Sequence, residues 1–160
     1  MAAPQRSQCD GVASAGDGGR SRLDAVGTVI VPYRDLPHDD GGRPRPLLDI
    51  AVADVDDVRV RCLVDSGAQN TLLPGWVADL AGIDCRDAPT RSLSVAAAAT
   101  TAALIPTRLT VADHSWEAEI GFCDPWPYGW GLLGQLSFFR YFTVSFRAAD
   151  LEFELEPVTS

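Results

Sequence analysis

An apolar run that stops on an acid constrains this chain more than any other stretch of it. In Arg61-Cys62-Leu63-Val64-Asp65-Ser66-Gly67-Ala68 the run ends at a carboxylate, then a hydroxyl residue, a glycine and an alanine. Val58-Arg59-Val60-Arg61 alternates apolar and charged residues before Cys62-Leu63-Val64 becomes continuously apolar, as a strand does on entering a core. A buried strand that stops on Asp-Ser-Gly presents its acid in a tight turn. Gly67 lets a backbone N–H approach the carboxylate, and Ser66 carries a hydroxyl that can bond to a neighbour. The same residues also suit an ordinary Asx turn closing a strand. The motif occurs once.

The remaining segments read mainly as strands. Leu47-Leu48-Asp49-Ile50-Ala51-Val52, a turn over 53–57 and the run 58–64 predict a β-hairpin. Order is expected to begin at Gly27-Thr28-Val29-Ile30-Val31, a β-branched run ended by Pro32. Residues 1–24 are rich in Gly, Ser, Ala, Arg and Asp with little to bury, which predicts a disordered tail ahead of a domain over 25–157. Proline and glycine pairs over 35–46 mark a surface loop. Pro74-Gly75-Trp76-Val77-Ala78-Asp79-Leu80-Ala81 suits a short helix closed by Gly82. Between 90 and 120 the alanines favour helix, but Thr100-Thr101, Pro106 and Arg108-Leu109-Thr110-Val111 favour strands, so a hairpin is expected. Leu132-Leu133 stops at Gly134 ahead of a short helix and a strand through Val144. Leu151-Glu152-Phe153-Glu154-Leu155-Glu156 alternates strictly, as a half-buried strand does.

Composition excludes several classes. At 160 residues and 46% hydrophobic content the chain suits one domain with a real core. Its net charge of −9 disfavours nucleic acid and anionic membrane surfaces. No apolar run reaches the ~20 residues of a membrane-spanning helix, and the first residues lack a secretory h-region, so a cytoplasmic location is expected. The cysteines Cys9, Cys62, Cys85 and Cys123 form no Cys-x-x-Cys pair and have no histidine at zinc-like spacing. No metal, organic cofactor or structural disulfide is expected, and Cys62 reads as a small buried hydrophobe. Asp54, Asp56 and Asp57 lack the frame of a calcium loop and read as a solvated turn. Gly129-Trp130-Gly131-Leu132-Leu133-Gly134 has the spacing of a dinucleotide fingerprint but no preceding βαβ strand. His38 and His114 read as exposed loop residues without a nucleophile elbow. Trp116, Trp126, Trp130, Phe138, Phe139 and Phe142 are assigned mostly to the core.

With these parts in order, the chain resembles a retropepsin-like aspartic peptidase, the retroviral-protease type that also occurs in bacteria. The likeness rests on the hairpin feeding Leu63-Val64-Asp65-Ser66-Gly67-Ala68 with Thr71-Leu72-Leu73-Pro74 after it. It rests also on Leu132-Leu133-Gly134 before a short helix, and on an intervening region where the family places its flap hairpin. The resemblance implies an all-β fold, a small closed barrel or sandwich with one or two short helices. It implies Asp65, Ser66 and Gly67 as catalytic residues, without metal or cofactor. It implies a homodimer, with Asp65 of two subunits forming a dyad that activates water against a peptide or protein substrate. Val29 to Val31 and Leu151 to Leu155 are candidates for sealing that dimer, or for ordinary packing within one subunit. The flap region, Val95 to Ala103, carries Ala and Thr where the family has glycine. That departure keeps open a catalytically silent dimerisation or peptide-binding module of the same fold.

Overall fold

A computed structural model describes residues 22–23, 28–36, 42–53, 55, 57–95 and 97–158. In chain order the elements are β1 (Arg22–Leu23), β2 (Val29–Pro32), β3 (Leu47–Val52), β4 (Arg59–Val64), β5 (Leu72–Pro74), α1 (Gly75–Leu80), β6 (Thr90–Val95), β7 (Ala98–Val111), β8 (His114–Asp124) and β9 (Gly131–Leu133). A single π-helical turn follows, α2 (Gln135–Phe139), then β10 (Phe142–Arg147) and β11 (Glu152–Pro157). Strands β3-β4-β9-β5-β8-β7 lie side by side, and β7 returns to β3 through Ala51↔Thr110 and Val52↔Leu109, closing a barrel. β6 hangs from β7 outside that ring. A second sheet runs β1-β2-β11-β10. The all-β class, the closed barrel and the two short helices agree with the fold that the sequence implies.

The barrel interior follows from the apolar phase of its strands. Ile50, Val52, Val60, Cys62, Leu73, Leu109, Ile120 and Leu133 are all buried and belong to one core cluster. Burial pushes the Cys62 thiol far up, so it serves as packing. Gly131 is required where β9 runs past β4 and β5. A Cβ there would lie 2.5 Å from Leu73 Cδ2 and 2.8 Å from Cys62 Sγ. Trp116, Phe138 and Phe142 form the aromatic core, with Trp116 edge-on to Phe142 at 5.0 Å between ring centroids. Trp126 and Trp130 are only half-buried and meet Tyr128 in a separate cluster.

Several expectations change. The stretch 90–120 holds two hairpins sharing β7, not one, and the alanines lie in strand. Their helix propensity, a few tenths of a kcal/mol per residue, loses to cross-strand pairing with β6 and β8. Pro106 lies inside β7, opposite Glu119, without breaking it. The Leu104 N–H and the Arg108 carbonyl both face away from β8, toward Pro89 and Ala53. By alternation the Pro106 nitrogen faces the same way, between the last β6 pair at Ala103 and the first β3 pair at Leu109. His114 opens β8 and is half-buried, edge-on to Phe142, instead of lying in an exposed loop. His38, Cys9, Asp54 and Asp56 fall outside the described residues. So does the expected tail, apart from Arg22–Leu23, which pair with β2.

An ion cluster ties the segment just after β2 to the barrel. Asp49 of β3 accepts from Arg61 of β4 through Nε at 2.9 Å and from Arg34 Nη1 at 2.9 Å. Burial pushes the Asp49 carboxyl up, but the two guanidiniums outweigh it and hold the group below the usual carboxylate range. A depressed folded-state pKa contributes stability that is present above the unfolded value and lost as pH falls through the folded one. Asp49→Asn should therefore lower the urea midpoint at pH 7. The gap to the wild type should persist down to about pH 3.9, the ordinary Asp value, and close only below it. A gap that closes well above that pH would contradict the clasp.

Candidate active site

The strand carrying Asp65 ends where two others hold it. Val64 N–H donates to Pro46 O at 2.9 Å beside β3, and Asp65 N–H donates to Leu133 O at 3.1 Å at the end of β9. The chain then turns sharply. Ala68 N–H donates to Asp65 O at 3.1 Å, and Gly67 N–H donates to the Asp65 carboxylate oxygen Oδ1 at 2.9 Å. Gly67 is thus the backbone donor that its place in the sequence suggests. A Cβ on it would stand 3.2 Å from that same oxygen. Asp65 is half-buried, whereas Ser66 and Gly67 are exposed on the outer side of the turn.

Behind the turn, residues 133–137 run along 65–71 and bond to them repeatedly. Gln135 N–H donates to Ala68 O and Leu136 N–H to Gln69 O, both at 2.9 Å. The Gln135 side chain donates through Nε2 to Ser66 O at 2.7 Å. Gly134 N–H donates to Thr71 Oγ1 at 3.1 Å, and Thr71 N–H donates to Ser137 Oγ at 3.0 Å. Thr71 and Ser137 are buried, so these bonds also satisfy groups that water cannot reach. The Leu-Leu-Gly element packs behind the turn as the sequence implies. The roles of Thr71, Gln135 and Ser137 were missed. The one signal for Thr71 and Ser137 was a lone hydroxyl within each of two apolar runs, 71–74 and 136–139.

Asp65 opens onto a cleft of about 350 Å³, lined also by Ala68, Gln69, Asn70, Leu72 and Leu132, and by Leu93, Ser94 and Val95 of β6. The β6–β7 hairpin therefore overhangs the carboxylate. Its tip turns between Val95 and Ala98, with Ala97 at φ +66°, a left-handed conformation that glycine would adopt more easily. Among the described residues, Asp65 is the one titratable side chain lining this cleft. The arrangement offers a carboxylate on a rigid turn, a trough lined by both polar and apolar side chains and an overhanging hairpin, which is chemistry suited to holding an extended peptide.

Residues 51–121 match a family model described as Aspartyl protease, a span that includes the Asp65 turn. Among solved structures, the chain is similar to a retropepsin-like aspartic protease from Rickettsia conorii at TM-score 0.55 and 16% identity, over 81% of this chain and 90% of that one. It is also similar to the retroviral protease-like domain of Ddi1 from Leishmania major, at TM-score 0.47 and 18% identity, over 62% of this chain and 79% of that one. No curated protein sequence matches it significantly. The retropepsin-like resemblance read from the sequence is thus borne out by the family match and by the fold.

Gly134 is the point where the two segments touch. A Cβ there would come within 2.9 Å of Ala68 O and closer still to the Asn70 carbonyl. Backbone on both sides leaves no side chain to swing away, so Gly134→Ala should destabilise the fold by about 1–3 kcal/mol. Chemical denaturation checks this, and a loss below about 0.5 kcal/mol, the level of a neutral surface change, would show that the segments are not tightly locked.

Proposed function

We propose that this retropepsin-like chain is an aspartic endopeptidase whose dyad is Asp65 from each of two subunits. The observation that carries the reading is the placement of Asp65, half-buried on a turn bonded along residues 133–137 and facing a cleft under a hairpin. One carboxylate cannot both take a proton from water and give one to a peptide carbonyl. A two-fold axis beside the turn supplies the second, because an isologous contact sets the same residue on both sides. Like charges so close do not both ionise, so the pair shares one proton. The ionised member accepts a proton from the water, which attacks the carbonyl carbon. The protonated member donates to the carbonyl oxygen, and the tetrahedral centre then collapses as the amine leaves with a proton. Ser66, exposed beside the acid, braces the turn across the axis, and Gly67 N–H holds the carboxylate.

Asp65→Asn removes the shared proton and should abolish cleavage of a mixed peptide library at acidic pH while leaving a folded dimer. A variant with full activity would end the proposal. The left-handed Ala97 at the hairpin tip favours a second reading, a silent module that binds peptides without cutting them. Cleavage by the wild type that a transition-state mimic blocks separates the two.

The dimer contact is assigned to β10. The strands first considered, β2 and β11, each have a neighbour on both edges within one subunit. β10 pairs only with β11 among the described residues. Val158 N–H donates to Tyr141 O, so by alternation the backbone groups of Phe142, Val144 and Phe146 face outward. An unpaired edge of this length is a template for a second chain. Phe146→Pro deletes an outward N–H without touching the β11 ladder. Sedimentation should shift from dimer to monomer; an unchanged dimer would move the interface elsewhere.

A further inference from the structure

A larger cavity lies away from Asp65, at the base of the β6–β7 hairpin between that hairpin, α1 and the end of β8. It measures about 530 Å³, within the roughly 300–1,000 Å³ of ligand pockets. Its floor is apolar, made by Ala103, Phe122 and Cys123, the last two 3% and 1% exposed. Its rim differs in kind. Trp76 of α1 stands 48% exposed, Trp126 is half-buried, and the carboxylates of Asp79 and Asp124 are both exposed. Among the described residues, no basic side chain lines the cavity and neither acid forms a salt bridge. Trp126 is fixed in place, its Nε1–H donating to Trp130 O at 2.8 Å. Cys85 and Cys123 also line the space. Burial pushes the Cys123 thiol up to about 11, and burial with the nearby Asp79 and Asp84 pushes Cys85 up as well. Both thiols stay protonated near neutral pH and act as packing.

An apolar floor under a rim of indole and unpaired carboxylate suits a ligand with an apolar body and a cation beside it. We propose that this pocket docks a peptide segment in which an apolar side chain neighbours an arginine. The apolar group covers Phe122 and Ala103. The guanidinium stacks on Trp76 and forks to Asp79 or Asp124, which a planar donor set does better than an ammonium. A net charge of −9 draws basic segments toward the surface. The pocket lies close to the cleft. Leu72 lines the cleft and clusters with Ala102 and Cys123, and Cys123 lines the pocket. A segment held there anchors a substrate at a distance from the bond to be cut. This deepens the peptidase reading and rests on it only in supposing that the chain handles peptides; the docking itself does not involve Asp65.

The test uses the Asp65→Asn protein, so that nothing is cleaved, and calorimetric titration with the blocked peptide acetyl-Ala-Leu-Arg-Ala-amide. Replacing its arginine by citrulline, or its leucine by glycine, should weaken binding at least about fivefold. Trp76→Ala and the double change Asp79→Asn, Asp124→Asn should each weaken it by a similar factor without moving the thermal midpoint, because all three side chains are exposed. Raising salt to about 0.5 M should weaken the arginine peptide more than the citrulline one. Free arginine, whose own carboxylate faces the two acids, should bind less well than the blocked peptide. Equal affinity for the arginine and citrulline peptides, or unchanged binding by Trp76→Ala, overturns the assignment, and tighter binding of free arginine overturns a peptide as the occupant. Cleavage by the wild type is read separately. Arginine-dependent binding without cleavage overturns the peptidase reading alone, and cleavage without it overturns the pocket alone.

Discussion

The contact between residues 133–137 and 65–71 sets the position of everything else that matters in this protein. Two loops distant in sequence exchange backbone bonds that neither could satisfy alone. The exchange is possible because Gly134 has no side chain to hold the Asn70 carbonyl away. β4 and β9 are adjacent parallel strands, so both loops leave the barrel at the same end. Parallel neighbours that end together bring two turns into register, and buried hydroxyls complete the bonding. Asp65 is therefore placed by barrel topology, and its own turn supplies only the last donor, Gly67 N–H. Rigid support of this kind is what a carboxylate needs if it is to meet a partner within a narrow distance.

The aromatic core extends that support. Trp116 of β8 donates through Nε1 to Ser137 O at 2.8 Å, and its ring meets Phe138, Tyr141 and Phe142. Ser137 thus accepts at its carbonyl from the barrel wall and at its hydroxyl from Thr71 beside the acid turn. Movement of α2 would strain both bonds. The second sheet, joined through β10 directly after α2, is mechanically coupled to the acid through this one turn of helix.

Much of this was legible in the chain. The Asp65 turn, the β3–β4 hairpin, α1 with Gly82 at φ +67° and the half-buried β11 all follow from local pattern, because each depends on neighbours in sequence. What escaped depends on neighbours in space. Nothing in Val29 to Val31 says that β11 will lie beside it, so which strand lacks a second neighbour among the described residues emerged only from the pairing order. Thr71 and Ser137 look like ordinary polar residues until they are seen bonded across 66 positions. The alanine-rich strand β7 was obscured for a related reason, since its partners on both sides fix a conformation that its own residues do not prefer.

Pro106 interrupts the edge of β7 at a telling place. Below it β7 belongs to the barrel through β3, and above it to the overhanging hairpin through β6. Around residue 106 the strand is laddered, among the described residues, to β8 alone. A ribbon held along one margin bends there at lower cost than elsewhere. The barrel staves and the awning above the acid thus share one continuous strand, and the margin beside Pro106 is where the awning can tilt while the staves stay closed.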